Sequence, residues 1–241
     1  MSGGPSHDFL FFCPDLVPGS QTLELDGDEH HHAARVLRVG AGDTLYVTNG
    51  QGIIARCRIE TVGKRATRLT VTESKKEQTS GPRTTLALGC LKKDAFETAF
   101  KQCTELGIES CIPFASEKSH LKDYGPAFLE RLRRMAVAAM KQSFRATLPS
   151  VEPAVGFGEL VERLRRSDLV VVGDPEGRRL EKLPERSEVT IVVGPEPGLT
   201  AGERQVLGEL SAIFVAVSSR RLRAETAAVA LTALVQNAWG A

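Results

Sequence analysis

Hydrophobic and polar positions change period once along this chain, near residue 75. Before that point, short runs rich in β-branched and aromatic residues predict strands at 9–13, 21–25, 44–48, 52–59 and 68–72. Turn residues separate them: Pro18-Gly19, Gly40 with Gly42-Asp43, Asn49-Gly50 and Gly63. Asn49-Gly50 between two strand patterns predicts a hairpin, because both residues tolerate the positive φ of a tight turn. A short helical segment at 28–39 interrupts the strands. Many short strands in so few residues predict a small barrel. The polar stretch from Glu73 to Pro82, closed by Gly81-Pro82, reads as a boundary. The reading is therefore a barrel at 1–75, a linker at 76–83 and a second domain at 84–241.

Past the boundary, apolar runs alternate with three- and four-residue spacings. Strands are predicted at 85–91, 109–114, 169–172, 189–193 and 213–217. Asp94 is placed to cap a helix that repeats Phe96, Ala99, Phe100, Cys103 and Leu106 on one face, with Gly107 ending it. Pro126 stands at a first helical position, ahead of Leu129, Leu132, Met135, Ala136, Ala139 and Met140 on one side. Further helices are predicted at 158–166, 201–210 and 225–238. Thr200 with Glu203 has the spacing of a capping box. Strand and helix in alternation predict an α/β domain with a largely parallel sheet.

Composition narrows this little. Apolar residues are 41% of 241, enough for a sizeable core, and the formal net charge is +1. The charge is uneven: from Arg56 to Lys76 seven basic residues face two acidic ones, and a second basic stretch runs from Arg131 to Arg145. Either could follow a phosphate backbone, although a solvated face is the commoner role of such a cluster. The five cysteines, at 13, 57, 90, 103 and 111, form no Cys-x-x-Cys pair. They read as reduced core thiols of a cytoplasmic protein. No apolar run reaches a membrane span and the first eight residues carry no export signal, so no membrane partner is expected. His30-His31-His32 invites a metal reading. Adjacent helical positions point apart, however, and no cysteine or carboxylate completes a ligand set, so no metal is expected. His32, Arg35 and Arg38 instead step by three along one helical surface that could meet a phosphate backbone.

The usual nucleotide and hydrolase signatures are absent. There is no Gly-x-Gly-x-x-Gly, Walker lysine, Gly-x-Ser-x-Gly elbow or His-Glu-x-x-His. What remains is a set of three apolar strands ending in small or turn-forming residues: Gly173 to Gly177, Gly194 to Gly198, and Ser218 to Arg223. In open α/β sheets ligands collect at such strand ends. Converging there, the backbone groups could recognise a heteroaromatic ring by its edges.

An ordered set of motifs then carries a resemblance. It comprises Lys92-Lys93-Asp94, Cys103-Thr104-Glu105-Leu106-Gly107, Ser116-Glu117-Lys118-Ser119, Gln142-Ser143-Phe144-Arg145 with Leu148-Pro149, Gly194-Pro195-Glu196-Pro197-Gly198, and Leu222-Arg223-Ala224-Glu225-Thr226-Ala227-Ala228. Together they resemble the bacterial 16S ribosomal RNA (uracil-N3)-methyltransferase family of the SPOUT superfamily. Residues 23–29, leading to His32 and Arg35-Val36-Leu37-Arg38, are similar to that family's PUA-like RNA-binding barrel.

The resemblance implies an α/β trefoil-knot domain behind the barrel, S-adenosylmethionine held in the knot loops, and a homodimer. Its implied partner is ribosomal RNA or the small ribosomal subunit, methylated at N3 of a uridine. Carried over by position, Val193, Gly194, Pro195 and Gly198 fall on the first cofactor loop. Val217, Ser218, Arg220, Leu222 and Arg223 fall on the second, and Gly173 and Asp174 form a third wall. Arg223 is the candidate for orienting the uracil or offsetting its developing charge; an ion pair with Glu225 is its structural alternative. Arg223 and Glu225 are the catalytic assignments. His32, Arg35, Arg38, Lys92, Gln142 and Arg145 are the RNA-contact assignments.

The chain departs from the family pattern in places. Pro197 replaces a glycine and removes a backbone donor. Phe144 stands at a small-residue position, Lys141 at an acidic one, Ala224 at a threonine and Arg221 at an apolar one. A catalytically inactive RNA-binding homologue is therefore the alternative reading. A small-ligand-binding α/β protein unrelated to RNA is a third.

Overall fold

The computed structural model describes residues 6–77, 81–180, 182–184, 186 and 188–238. The chain divides into two compact units: Met1–Gln78 with Met140–Leu148, and Thr79–Ala139 with Pro149–Ala241.

In the first unit, β1 (Ser6–Phe12), β2 (Thr22–Leu25), β3 (Thr44–Thr48), β4 (Ile53–Val62) and β5 (Thr67–Lys76) make one sheet in the order β1-β3-β4-β5-β2. β1 runs parallel to β3 and the other pairs are antiparallel. Alternate residues turn inward: Leu45 and Val47, then Ala55, Cys57 and Ile59, then Leu69. They close with Phe11, Leu23, Leu25 and Ala33 around one core. A sheet curled about a single core is the predicted small barrel. The Asn49-Gly50 hairpin joins β3 to β4. Asn49 Oδ1 accepts from the Gln51 and Ile53 amides at 2.8 and 3.1 Å, and Gly50 takes φ +71°.

Three expectations for this unit are corrected. The helix at 28–39 is a short α-helix, α1 (Gly27–His31), running into a π-helical turn at His32–Val36 that the Leu37 amide closes on the His32 carbonyl at 3.0 Å. Arg38 lies beyond it at φ +55°. The three-residue stepping of His32, Arg35 and Arg38 therefore does not hold. The linker at 76–83 is also too wide. β5 includes Lys76, and the Glu77 amide bonds Gly52 at 2.8 Å. Residues 78–80 of it lie outside the described residues. Finally, residues 140–148, read as part of the second domain, belong to the barrel unit. Leu148 donates to the Gly50 carbonyl at 2.8 Å, Thr48 Oγ1 donates to the Ala146 carbonyl at 3.0 Å, and the Ala146 amide donates to Glu77 at 3.0 Å. Such long-range pairing leaves no trace in local periodicity.

The same segment explains two departures. α3 (Pro126–Gln142) begins at the predicted proline and ends in a Schellman turn, with the Arg145 amide on the Met140 carbonyl at 3.0 Å and the Phe144 amide on Lys141 at 3.2 Å. Phe144 occupies the left-handed position of that turn at φ +58°, where glycine is favoured by about 1 kcal/mol or more. Its ring meets Tyr46 edge-on at 5.1 Å, a packing gain that offsets the strain. Lys141 is 2.5 Å from Glu29.

In the second unit, β6 (Arg83–Gly89), β7 (Ser110–Ala115), β8 (Ser150–Val151), β10 (Leu169–Arg178), β11 (Glu188–Val193) and β12 (Ile213–Val215) form a sheet in the order β12-β10-β11-β6-β7-β8. β9 (Val155–Gly156) also pairs with β7, and every described pairing is parallel. The two-residue strands β8 and β9 were not predicted, since two residues define no period. α2 (Lys93–Glu105), α4 (Phe157–Leu164), α5 (Ala201–Glu209) and α6 (Ala224–Ala238) complete the unit. Lys92, not Asp94, is the N-cap of α2. Asp94 lies in the first turn, where its charge complements the helix dipole. Gly107, at φ +106°, ends α2 as predicted. The Thr200–Glu203 capping box at α5 is present in both directions.

β10 is longer than predicted and irregular. Gly173 and Arg178 both lie beside Val215, so residues 174–177 form a bulge in the strand between them. All five cysteines are free and buried. Burial pushes the Cys57 and Cys103 thiols up to about 12 and the Cys90 thiol up to about 11, so the thiolate form is suppressed.

Candidate functional site

β10, β11 and β12 end side by side, and three loops meet beyond them in one cavity of about 350 Å³. The first wall is Gly173 and Asp174, where the bulge of β10 begins. The second is Val193 at the end of β11 with the loop Gly194-Pro195-Glu196-Pro197-Gly198. The third is Val217, Ser218, Arg220 and Leu222, leading to α6. Ten of the eleven residues assigned to cofactor binding line this cavity. Arg223 does not.

Close backbone approach fixes the second loop. A Cβ at Gly194 would come within 3.0 Å of Leu199 Cγ, and one at Gly89, at the end of β6, within 2.4 Å of the Pro195 nitrogen. No side chain fits at Gly89 unless the loop moves away. The turn closes through the Gly198 amide on the Pro195 carbonyl at 2.7 Å, with Gly198 at φ +83°. Pro197 is exposed, and its missing N–H is not the donor that closes the turn. The departure at 197 therefore leaves the loop intact.

The third loop turns on Ser218, whose Oγ accepts from the Arg220 amide at 3.0 Å. The first wall is set by charge. Asp174 is buried, and its Oδ2 lies 2.9 Å from Arg204 Nε on α5. Its Oδ1 accepts from the Glu176 amide at 2.8 Å, while Arg204 Nη2 reaches Glu176 at 2.7 Å. The hydrogen bond to Glu176 holds the Arg204 guanidinium above its ordinary pKa, so the clamp stays charged. Arg204 lines the cavity but was missed, because its partners lie far away in sequence.

A second cleft, of about 770 Å³, adjoins this cavity and shares Glu196, Arg221, Leu222 and Ala224 with it. Arg223, Glu225 and Lys92 line it, with Asp94 and Thr98 from α2. Arg223 Nη1 is 3.9 Å from Glu225 Oε1, and the arginine side chain is 86% exposed while the glutamate is 18% exposed. At that distance and exposure the pair adds at most a few tenths of a kcal/mol. The structural alternative for Arg223 is thereby weakened, because its guanidinium is not spent on the fold. Tyr124 fixes the turn before Lys92, donating to the Leu91 carbonyl at 2.7 Å and accepting from its amide at 2.9 Å. Burial pushes the Tyr124 phenol up, which keeps it protonated as that donor.

The remaining RNA-contact assignments lie in the first unit. Arg35 and Arg38 are exposed on and after the π turn. His32 is half-buried, its ring 5.9 Å from Phe11. His30 bonds Thr67 Oγ1 through Nδ1 at 2.8 Å, so these neighbouring histidines serve different contacts. Gln142 is exposed and Arg145 half-buried at the Schellman turn.

Comparison with known proteins decides the family. Residues 78–236 match the model of an RNA methyltransferase domain, and residues 25–71 match the PUA domain of RNA methyltransferases. The chain belongs to the RNA methyltransferase family. It is 30% identical over 233 residues to the ribosomal RNA small subunit methyltransferase E of Bacillus subtilis, covering 91% of each chain. To the enzyme of the same name from Mycobacterium tuberculosis it is 28% identical over 236 residues, covering 93% of this chain and 90% of that one. The crystal structure of ribosomal RNA small subunit methyltransferase E from Neisseria gonorrhoeae, bound to S-adenosyl methionine, shares the fold. Its TM-score is 0.85 at 24% identity, over 96% of this chain and 98% of that one. The PUA match runs from the last residue of β2, through β3 and β4, into β5 of the curled sheet, and the methyltransferase match contains all three cavity loops.

Proposed function

We propose that this RNA methyltransferase binds S-adenosylmethionine in the cavity at the ends of β10, β11 and β12 and methylates N3 of a uridine in 16S ribosomal RNA. The convergence of three strand-end loops on one cavity, within the matched methyltransferase region, carries the reading. A volume of about 350 Å³ falls in the range of small-molecule sites. The walls also suit the group: Val193, Leu199, Val217 and Leu222 offer apolar surface, and the strand ends offer peptide edges. When bound there, the cofactor supplies a sulfonium methyl group.

The chain's own residues then do the rest. The loops at 194–198 and 217–222 orient the cofactor and exclude water. The adjoining cleft takes the target base, with the exposed Arg223 guanidinium offsetting the negative charge that grows on the uracil as N3 loses its proton. Glu225 sits beside Arg223 as its carboxylate neighbour and completes the catalytic assignment. Lys92, on the same cleft, meets a flanking phosphate. In the barrel, which is taken as the RNA-binding domain, His32, Arg35, Arg38, Gln142 and Arg145 contribute RNA contacts. The loops are proposed to be those of a trefoil knot.

A homodimer is part of the proposal. α6 carries one charged residue in fifteen, Glu225, and leaves Leu234 38% exposed, so its outer side is unusually apolar for a solvated helix. The working place is the cytoplasm, where ribosomal RNA is the partner.

Two measurements test the function in turn. Titration calorimetry with S-adenosylmethionine is expected to give one site per chain. Incubation of the protein and cofactor with unmethylated 30S subunits or free 16S RNA, followed by nucleoside mass spectrometry, is expected to yield 3-methyluridine. A different methylated nucleoside would overturn the N3 assignment. Cofactor binding with no product on either substrate would favour the inactive homologue.

A further inference from the structure

Glu203 holds more than a helix cap requires. It is 6% exposed, yet its carboxylate accepts three hydrogen bonds within the described residues. Oε2 takes the Thr200 amide at 2.9 Å, which is the capping-box bond, and also the Ser116 hydroxyl at 2.8 Å. Oε1 takes the Glu117 amide at 2.9 Å. Two of these three donors belong to the exit of β7, 87 and 86 residues earlier in the chain. A capping box by itself uses one carboxylate bond. Burying a carboxylate is costly unless donors surround it, and charge-assisted bonds are the strong ones. The arrangement therefore fastens two strand ends together through one side chain.

The place of that fastening is informative. Thr200 follows directly on the loop Gly194 to Leu199, which forms the second wall of the cavity. One end of the loop is seated on β6, where the Gly89 backbone meets Pro195. The other end is tied by Glu203 to the exit of β7. The far side of the tie is braced as well. Ser119 Oγ accepts from the Ser116 amide at 3.0 Å, and Lys122 Nζ donates to the Ser116 carbonyl at 2.7 Å and to the Glu117 carbonyl at 3.1 Å.

We infer that Glu203 is a positioning residue for cofactor binding: its buried carboxylate anchors the Gly194–Leu199 wall to the β7 exit and so sets the width of the cavity. It touches neither the cavity nor the reacting atoms. The inference rests on the proposed cofactor site.

The experiment measures S-adenosylmethionine affinity by calorimetry, with a melting temperature for each protein. In Glu203→Gln one acceptor oxygen becomes a donor facing other donors. Its cofactor Kd is expected to rise about tenfold, with KM for the cofactor rising in step and kcat changing by less than about threefold. Ser116→Ala removes one of the three donors, folds more securely and is expected to raise Kd by about threefold. The double variant is expected to fall short of the product of the two effects, because the groups share one bond. Thr190→Val, which removes a hydrogen bond to Ser167 elsewhere in the same sheet, supplies a destabilised control with unchanged Kd. Unchanged affinity in Ser116→Ala, together with unchanged affinity in Glu203→Gln or its failure to fold, would overturn the inference and leave a purely structural cap. Loss of affinity in Thr190→Val to the same degree would do so too. Absence of binding by the unaltered protein would instead sink the cofactor site itself.

Discussion

The two ends of the parallel sheet are built differently, and β11 contributes to a cleft at each. At the carboxyl ends, β10, β11 and β12 run out into glycine- and serine-containing loops whose peptide groups line a cavity of about 350 Å³. At the amino ends lies a cleft of about 430 Å³, the larger of the two by volume. Most of its polar side chains are already paired: Arg83 with Glu188, Arg163 with Glu152 and Glu159, Thr85 with Ser110, and Ser167 with Thr190. Volume does not mark the site. What marks it is polar surface left available by close glycine packing, against polar surface consumed by neighbouring side chains.

Substitutions at the two ends should separate accordingly. The largest effect is expected from Arg223→Ala, which removes an exposed guanidinium from the cleft beside the cavity. Methyl incorporation should fall by about 10²–10³-fold with cofactor Kd nearly unchanged, as for other groups that meet developing charge. Equal loss of binding and turnover would return Arg223 to a structural role. Next is Gly89→Ala. Its Cβ would lie 2.4 Å from the Pro195 nitrogen, so the loop must move. A loss of about 1–3 kcal/mol in denaturant stability is expected, with cofactor affinity at least tenfold weaker by calorimetry. Retained affinity would show that this backbone contact does not shape the cavity. At the other end, Thr190→Val leaves Ser167 without its partner at 2.6 Å and should cost about 1 kcal/mol, with binding and turnover intact. The smallest effect is expected from Arg83→Gln, which breaks a solvent-exposed ion pair with Glu188 and should change stability by less than about 1 kcal/mol. A drop in methylation from either amino-end variant would break the contrast.

Local chemistry made some features legible and hid others. Pro126, the Thr200–Glu203 spacing, Gly107 and the 44–48 run each carry their structural reason within a few residues, and each is found where expected. The three cavity loops were readable because strand ends rich in glycine or serine are a local pattern. What escaped depends on distant pairing. Arg204 meets Asp174 and Glu176 across the cavity, and Glu203 meets Ser116 across two strand ends. β10 bulges between two residues that face the same partner, Val215, which no hydrophobic run can announce. The π turn at His32–Val36 shifts the face on which Arg35 lies, since helical stepping assumes four-residue bonds and this turn closes over five.

The barrel unit is made from two separate lengths of chain, residues up to 78 and residues 140–148. Synthesis proceeds from the amino end at about 5–20 residues per second. The β3–β4 hairpin can therefore form early, but the groups that Gly50 and Thr48 bond, the Leu148 amide and the Ala146 carbonyl, arrive 98 residues later. Roughly 5 to 20 seconds pass on the ribosome with the first unit unfinished. The order of translation thus obliges the last turn of α3 to emerge before the barrel can close, and a slow stretch of codons within 79–139 would prolong the exposure of its edge.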